Sequence, residues 1–251
     1  VVDGVPAGLF LTEADIQAYL DRRKPGQSRY TTARNEGDEV EILSGVFEGQ
    51  TTGTPISMIV RNKDQRSRDY GNIAQTYRPG HADFGFDSKY GFRDYRGGGR
   101  SSGRETIGRV AAGAIAARIL KELGITLQAY TSSIGPVSCH SYHPEIIPEN
   151  SFYMPDMVAA EKAAKYLEKC MKEEDSAGGV VECRISGVPA GIGDPVFGKL
   201  DAAFAQALMS IGAVKAVEIG DGVKVSTMKG SENNDAFHSF QEFSRMCRFQ
   251  E

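Results

Sequence analysis

Asp3-Gly4-Val5-Pro6-Ala7-Gly8 returns almost unchanged as Ser186-Gly187-Val188-Pro189-Ala190-Gly191. Each copy follows an apolar, strand-like run and precedes an amphipathic helix. The first helix is expected from Glu13 to about Arg22, opened by the capping signal Thr12-x-x-Asp15. The second is expected from about Lys199 to Met209, with Leu200, Phe204, Ala207 and Leu208 on one face. Beyond each helix the alternation and turn residues predict a hairpin. One is Val40–Phe47 turning through Glu48–Gly53 into Pro55–Val60; the other is Ala216–Ile219 turning through Gly220-Asp221-Gly222 into Val223–Ser226. Strand, loop, helix and hairpin, used twice, predict an α+β fold of two related halves.

Two further helices are expected between the copies. Glu105–Leu123 is crowded with small residues (Ala111, Ala112, Gly113, Ala114, Ala116, Ala117), which let neighbours approach closely. Asp156–Lys172 carries Met157, Ala160, Ala164, Leu167 and Met171 on one stripe, the pattern of a half-exposed helix. The segment 64–104 lacks periodicity and is rich in glycine and arginine. Long irregular stretches inside a compact domain usually serve function.

Composition removes several classes of protein. At 251 residues and 40% hydrophobic content, the chain can bury a substantial core. No apolar run reaches the length of a membrane span, so a soluble, cytoplasmic protein is expected. Cys139, Cys170, Cys183 and Cys247 show no CxxC spacing, and reduced thiols are expected. A net charge of −4 argues against nucleic-acid binding, despite thirteen arginines between Arg22 and Arg109. An RNA-binding module would also need aromatic residues interleaved with the basic ones in a recognisable motif. Arginine suits bidentate capture of phosphate and carboxylate, which points to an anionic small molecule instead. Cys139-His140-Ser141-Tyr142-His143 has no second ligand cluster at zinc spacing and reads as a surface loop.

The chemistry concentrates in Arg78-Pro79-Gly80-His81-Ala82-Asp83 and in Arg96-Gly97-Gly98-Gly99-Arg100-Ser101-Ser102-Gly103-Arg104-Glu105. The second stretch ends in Ser102-Gly103-Arg104-Glu105, a capping box that predicts an open helix start with donors turned toward an anion. Its spacing is neither a Walker loop nor GxGxxG. His81 sits among cations that disfavour its protonated form unless the ligand is itself anionic; bound beside such a ligand it becomes a proton donor.

These segments together resemble chorismate synthase. The resemblance rests on Asp21–Arg29, Leu43–Gly49 with Thr52–Ile56, Asp69-Tyr70, Tyr77–Asp83, Lys89-Tyr90-Gly91, and Gly97–Ser102 with Arg104-Glu105-Thr106. Ile211–Lys215, Glu218-Ile219-Gly220 and Gly230–Asp235 add to it. It implies a β-α-β sandwich with antiparallel sheets around central helices, assembled as a homotetramer. It further implies an anti-1,4-elimination of phosphate from 5-enolpyruvylshikimate 3-phosphate, giving chorismate for aromatic amino acid biosynthesis. The family requires reduced FMN, with NADPH as a candidate reductant. Carried over by motif, His81 is the family's proton donor to reduced flavin. Arg100, Ser101, Ser102, Gly212 and Ala213 contact FMN, and Arg23, Arg29, Arg78 and Arg104 grip the substrate. No metal is implied. The resemblance covers residues 1–236 as one domain, and 237–251 departs from it. The family's opening Gly-Glu-Ser-His-Gly motif is not found in this sequence. A weakly active or inactive chain is therefore expected, the alternative being an impaired fragment that binds flavin or phosphorylated ligand, or joins intact subunits.

Overall fold

The computed structural model of the protein describes residues 1–24, 26–30, 37–62, 74–95 and 99–234. Asp69-Tyr70, Gly97-Gly98, His238, Cys247 and the 237–251 tail lie outside the described residues. Helices and antiparallel strands are mixed, and the fold is α+β. The chain forms two compact units: Val1–Gly26 with Ala33–Ile119 and Ala202–Val217, and Gln27–Thr32 with Leu120–Asp201 and Glu218–Glu251.

In the first unit, α1 (Glu13–Arg23) begins where the capping signal predicts. The Asp15 carboxylate accepts from the Thr12 backbone N–H at 2.8 Å and from its hydroxyl at 2.7 Å. Those two bonds hold the Asp15 pKa below its ordinary value. Ile16 and Leu20, one turn apart, are completely buried. Each removes a large aliphatic side chain from water, worth about 2 kcal/mol. They meet Leu11, Ile56, Ala111, Ala114 and Ile115 in one core.

The predicted first hairpin is present as two nested antiparallel pairs. β1 (Val40–Ser44) pairs with β4 (Ser57–Val60) from Val40↔Val60 to Ser44↔Ser57, with a bulge after Ile42. β2 (Val46–Phe47) and β3 (Gln50–Thr51) close the tip. Buried Thr51 stitches the N-terminal loop to this hairpin: its hydroxyl donates to the Pro6 carbonyl at 2.6 Å and accepts from Leu9 N–H at 3.0 Å.

The unpatterned 64–104 segment contains a helix that no periodicity announces, α2 (Asp83–Tyr90). The small-residue helix forms as α3 (Thr106–Glu122), with Ala111, Ala114 and Ile115 buried.

In the second unit, β5 (Thr126–Ile134) lies between β6 (Val137–Ser138) and β7 (Gly179–Ser186), both antiparallel to it. α4 (Met157–Lys172) buries Ala159, Ala160 and Ala163, which pack with Met154 and the partly buried Ile134, Val137 and Phe152. Of the expected stripe only Ala160 is buried, and Met157 and Met171 are exposed, because the buried face is rotated toward the small alanines. Asp156 caps α4. Its carboxylate accepts from Ala159 N–H at 3.1 Å and reaches back to the N–H groups of His140 (3.0 Å) and Ser141 (3.3 Å). These bonds lower its pKa, and they give the Cys139–His143 loop its anchor. Asp156→Ala leaves three donors without their acceptor at a site 7% exposed. A loss of about 2 kcal/mol is expected, read as a lower denaturation midpoint at unchanged slope.

The repeated hexapeptide keeps its backbone in both copies. Gly4 and Gly187 have φ of +79° and +82°, and Gly8 and Gly191 have +85° and +91°. Left-handed values at matching positions explain the conserved glycine spacing of the repeat. At Gly187 a Cβ would stand 2.3 Å from the Gly124 carbonyl oxygen, so close approach adds a second reason.

The repeat does not extend to the second hairpin. α5 (Leu200–Met209) forms, but 216–219 is irregular and Gly222–Thr227 is a 3-10 helix. Gly220 and Gly222 both take positive φ, and Lys224 N–H returns to the Asp221 carbonyl at 3.1 Å. Local i→i−3 bonds replace the cross-strand ladder expected there. The apolar stripe of α5 is not buried among the described residues, unlike those of α1 and α4.

Candidate functional site

His81 stands in a tight turn. Its N–H donates to the Arg78 carbonyl at 3.3 Å, with Pro79 and Gly80 at the centre and Gly80 at φ +71°. Proline followed by a left-handed glycine is the sequence of a type II turn. The imidazole folds back on this turn, Nδ1 lying 3.0 Å from the Pro79 carbonyl oxygen. A carbonyl only accepts, so Nδ1 carries the hydrogen and Nε2 is the nitrogen that gains and loses a proton. The side chain is exposed, leaving Nε2 open to a ligand.

The arginine at the head of the turn is itself held. Asp83, 3% exposed, accepts from Arg78 backbone N–H at 3.1 Å, from Nε at 2.9 Å and from a terminal nitrogen at 3.0 Å. Arg93 adds a second cation, 3.4 Å from Asp83 and 3.4 Å from Asp87. Hydrogen bonds from Arg78, then the charges of Arg78 and Arg93, hold the Asp83 carboxyl far below the usual carboxylate range. Arg93 also donates to the Thr76 carbonyl at 3.0 Å and lies over the Tyr77 ring. The turn is thus braced through the Asp83 carboxylate between Arg78 and Arg93, with Asp87 meeting Arg93 from the helix.

Arg23 is treated similarly. One terminal nitrogen lies 2.6 Å from the buried Asp38 carboxylate, and Nε donates to the Thr106 hydroxyl at 3.2 Å. Thr106 passes its own hydrogen to the Gly103 carbonyl at 2.7 Å. This relay ties the end of α1 to the turn that carries Arg104.

That turn differs from the open helix start expected of the capping box. Two 3-10 turns, Gly99–Ser101 and Gly103–Glu105, precede α3. Ser102 N–H donates to the Gly99 carbonyl at 3.2 Å, Glu105 N–H to the Ser102 carbonyl at 3.0 Å, and Arg104 N–H to the Ser102 hydroxyl oxygen at 3.3 Å. Glu105 reaches forward to Arg109 at 3.1 Å rather than back to Ser102. The tighter turn takes up the Ser102, Arg104 and Glu105 backbone donors. The side chains on this turn suited to meeting an anion are the hydroxyls of Ser101 and Ser102 and the guanidinium groups of Arg100 and Arg104.

Arg109 completes a link that the sequence did not disclose. From α3 it donates to the Ser210 hydroxyl at 2.9 Å and to the Ser210 carbonyl at 3.1 Å. Ser210 directly follows α5 and precedes the turn holding Gly212 and Ala213, the latter at φ +71°. The Gly103–Glu105 turn, through Glu105, and the Gly212–Ala213 turn, through Ser210, over a hundred residues apart, are therefore tied to one guanidinium on α3. Gly212 has open space where a Cβ would stand. Hydroxyls, a guanidinium and an uncrowded glycine turn suit a phosphate-bearing planar cofactor.

Arg29 belongs to the second unit. It pairs there with Glu168 and with the Tyr30 hydroxyl, and its side chain is mostly exposed. It borders an open cavity of about 530 Å³ lined by Tyr30, Asn150, Phe152, Met157 and Glu161 among others. The other candidates (Arg23, Arg78, His81, Arg100, Ser101, Ser102, Arg104, Gly212 and Ala213) all belong to the first unit. Among the described residues no group of three His, Cys, Asp or Glu could hold a metal ion, and no helix is long and apolar enough to cross a membrane.

The family description "Chorismate synthase" matches residues 1–248. The chain is similar to the chorismate synthase of Agathobacter rectalis, 65% identical over 239 residues, and to that of Lachnoclostridium phytofermentans, 64% identical over 239. The chorismate synthase of Granulibacter bethesdensis is 59% identical over 237 residues. In each case the match takes in 94% of this chain and 65% of the relative, so the chain spans about two thirds of their length. A crystal structure of chorismate synthase superposes with a TM-score of 0.77 at 31% identity, over 94% of this chain and 69% of that one. With the match running nearly end to end and the fold shared, the chain belongs to the chorismate synthase family.

Proposed function

We propose that the chain catalyses the anti-1,4-elimination of phosphate from 5-enolpyruvylshikimate 3-phosphate to chorismate. The carbon–oxygen bond to phosphate breaks, a ring proton is lost at the far end of the allylic system, and a second ring double bond forms with no net oxidation. The observation that supports this reading best is the His81 turn. It offers one open imidazole nitrogen, Nε2, on a braced loop within the same unit as Arg23, Arg100 and Arg104.

Reduced FMN would be held by Arg100, Ser101, Ser102, Gly212 and Ala213, and it supplies the electron density that lets phosphate leave. In its doubly protonated form His81, with Nδ1 kept on the Pro79 carbonyl, would present the Nε2 proton for delivery to that site. Fixed cations bind the anionic substrate and stabilise charge gathering on the departing phosphate. Arg100 and Arg104 are suited to this by their place on the serine turn. Arg78 and Arg23 each already serve a buried carboxylate, so they lend directed N–H donors more than net charge. Arg29 is the fourth substrate arginine in this reading. NADPH as reductant, a homotetramer and a cytoplasmic setting complete it.

Flavin fluorescence titration with and without the phosphorylated substrate, followed by phosphate release under reducing conditions, tests the proposal. Flavin binding tightened by substrate, with phosphate released, is expected. Flavin binding that ignores the substrate, with no phosphate released, would overturn it.

A further inference from the structure

His81 reaches its ligand side only because the turn beneath it has a fixed shape, and the bonds that fix it run through one carboxylate. Asp83 is buried and takes three hydrogen bonds from Arg78, one from the backbone and two from the guanidinium. Arg78 offers its carbonyl to the His81 N–H, and the next carbonyl, from Pro79, receives the imidazole Nδ1. Asp83 is also the first residue of α2, so the carboxylate joins the entrance of the turn to the helix that follows it. Arg93 braces the far side of the same carboxylate and is itself 6% exposed at its side chain.

The geometry points to Asp83 as a positioning residue for the reaction: by clamping Arg78 it holds His81 with hydrogen on Nδ1 and the proton-exchanging lone pair on Nε2. The inference deepens the elimination reading and rests on it for its catalytic meaning. A carboxylate that served only packing would stabilise α2 without selecting a ring tautomer. Asp83 does more, because the acceptor that selects the tautomer belongs to the turn that it closes. Its two charge partners explain why an anion can stay buried there: an unpaired carboxylate would be neutralised or expelled. Asp87 makes a useful contrast, since it sits on the same helix and touches Arg93 rather than Arg78.

Nitrogen-15 correlation spectra of histidine-labelled full chain at about pH 8.5, two units above the ordinary histidine value, read the tautomer directly and need no ligand. His81 of the unaltered chain is expected chiefly as the Nδ1–H form, which the free histidine side chain disfavours. In Asp83→Asn, which sets an amide N–H₂ against the guanidinium, the ratio of Nδ1–H to Nε2–H is expected to fall about three- to tenfold, the range one net hydrogen bond supports. Asp87→Asn is expected to leave it unchanged. Should Asp83→Asn fail to fold, Arg78→Lys keeps the charge without the fork and is expected to shift the ratio in the same direction. An unaltered chain dominated by Nε2–H, or a folded Asp83→Asn with an unchanged ratio, overturns the inference. So does an unchanged ratio in Arg78→Lys where Asp83→Asn cannot be read. Because no flavin or substrate enters the measurement, a failed elimination assay strikes the proposed function and leaves this result standing.

Discussion

His81→Ala is expected to lower turnover by about two to four orders of magnitude while substrate affinity changes little. General acid catalysis by a positioned side chain contributes on that scale. His81 is exposed and makes its ring hydrogen bond only to the Pro79 carbonyl next door, so alanine removes the proton carrier without opening a core. The Arg78–Asp83 clamp and the Pro79–Gly80 turn do not depend on the imidazole, and the anion-binding groups should keep their places. The expected signature is a fall in phosphate release per flavin-bound chain with a substrate Kd, taken by calorimetry, within about threefold of the unaltered chain. Loss confined to a transition-state interaction behaves this way. Equal steady-state rates for the two chains would remove His81 from the mechanism. A parallel collapse of substrate affinity would instead make it a binding residue.

The same region shows where a sequence reveals its structure and where it does not. Pro79-Gly80 announces a turn, because proline presets one φ and glycine supplies the positive one that must follow. α2 was invisible for the opposite reason. Ala82 stands at its N-cap with no side-chain bond, Gly85 interrupts it, and Phe84, Tyr90 and Phe92 remain exposed, so neither capping nor periodicity marks it. Its formation depends on Asp83 meeting Arg78 and Arg93, contacts that tertiary structure provides. α1 was legible because its cap and buried stripe coincide, Thr12 with Ile16 and Leu20. α4 was legible because Asp156 caps an amphipathic run, although the face it buries is Ala159, Ala160 and Ala163 and not the one through Met157 and Met171. The hairpin expected at 216–226 had strand-like residues on both sides of a glycine turn, yet a short alternation also suits local 3-10 bonds when no ladder forms.

The site residues divide along the same line. Arginine-rich motifs and hydroxyls point in sequence to anion-binding chemistry, since those functional groups have few other uses in such density. Their partners could not be read. Asp38 and Asp83 look like ordinary loop acids in sequence, and Arg109 like one more surface cation on a helix. Only distance in the folded chain shows that Asp38 holds Arg23, that Asp83 holds Arg78, and that Arg109 fastens the Gly212–Ala213 turn to α3. Pairing between residues 101 positions apart leaves no trace in spacing.

Asp38→Ala is expected to destabilise the first unit by about 3 kcal/mol, a loss far larger than a surface acid would give. The Asp38 carboxylate is 4% exposed and lies 2.6 Å from Arg23, whose side chain is 21% exposed. Removing one member of a buried pair leaves the other desolvated without its counter-charge, which costs about 3–5 kcal/mol. The lower end applies because part of the Arg23 side chain still meets water. Backbone conformation adds to the loss: Asp38 has φ +45°, a region that aspartate tolerates and alanine resists. The effect should spread along the relay from Arg23 to Thr106 to Gly103, so the serine turn loosens and anion binding weakens with it. Asp38→Asn keeps the shape and an acceptor oxygen and should lose markedly less. Denaturant unfolding of the three chains, paired with phosphate-ester binding by calorimetry, separates the contributions. An Asp38→Ala midpoint equal to that of the unaltered chain would mean that Arg23 finds another partner. The pair would then have no part in shaping the turn at Arg104.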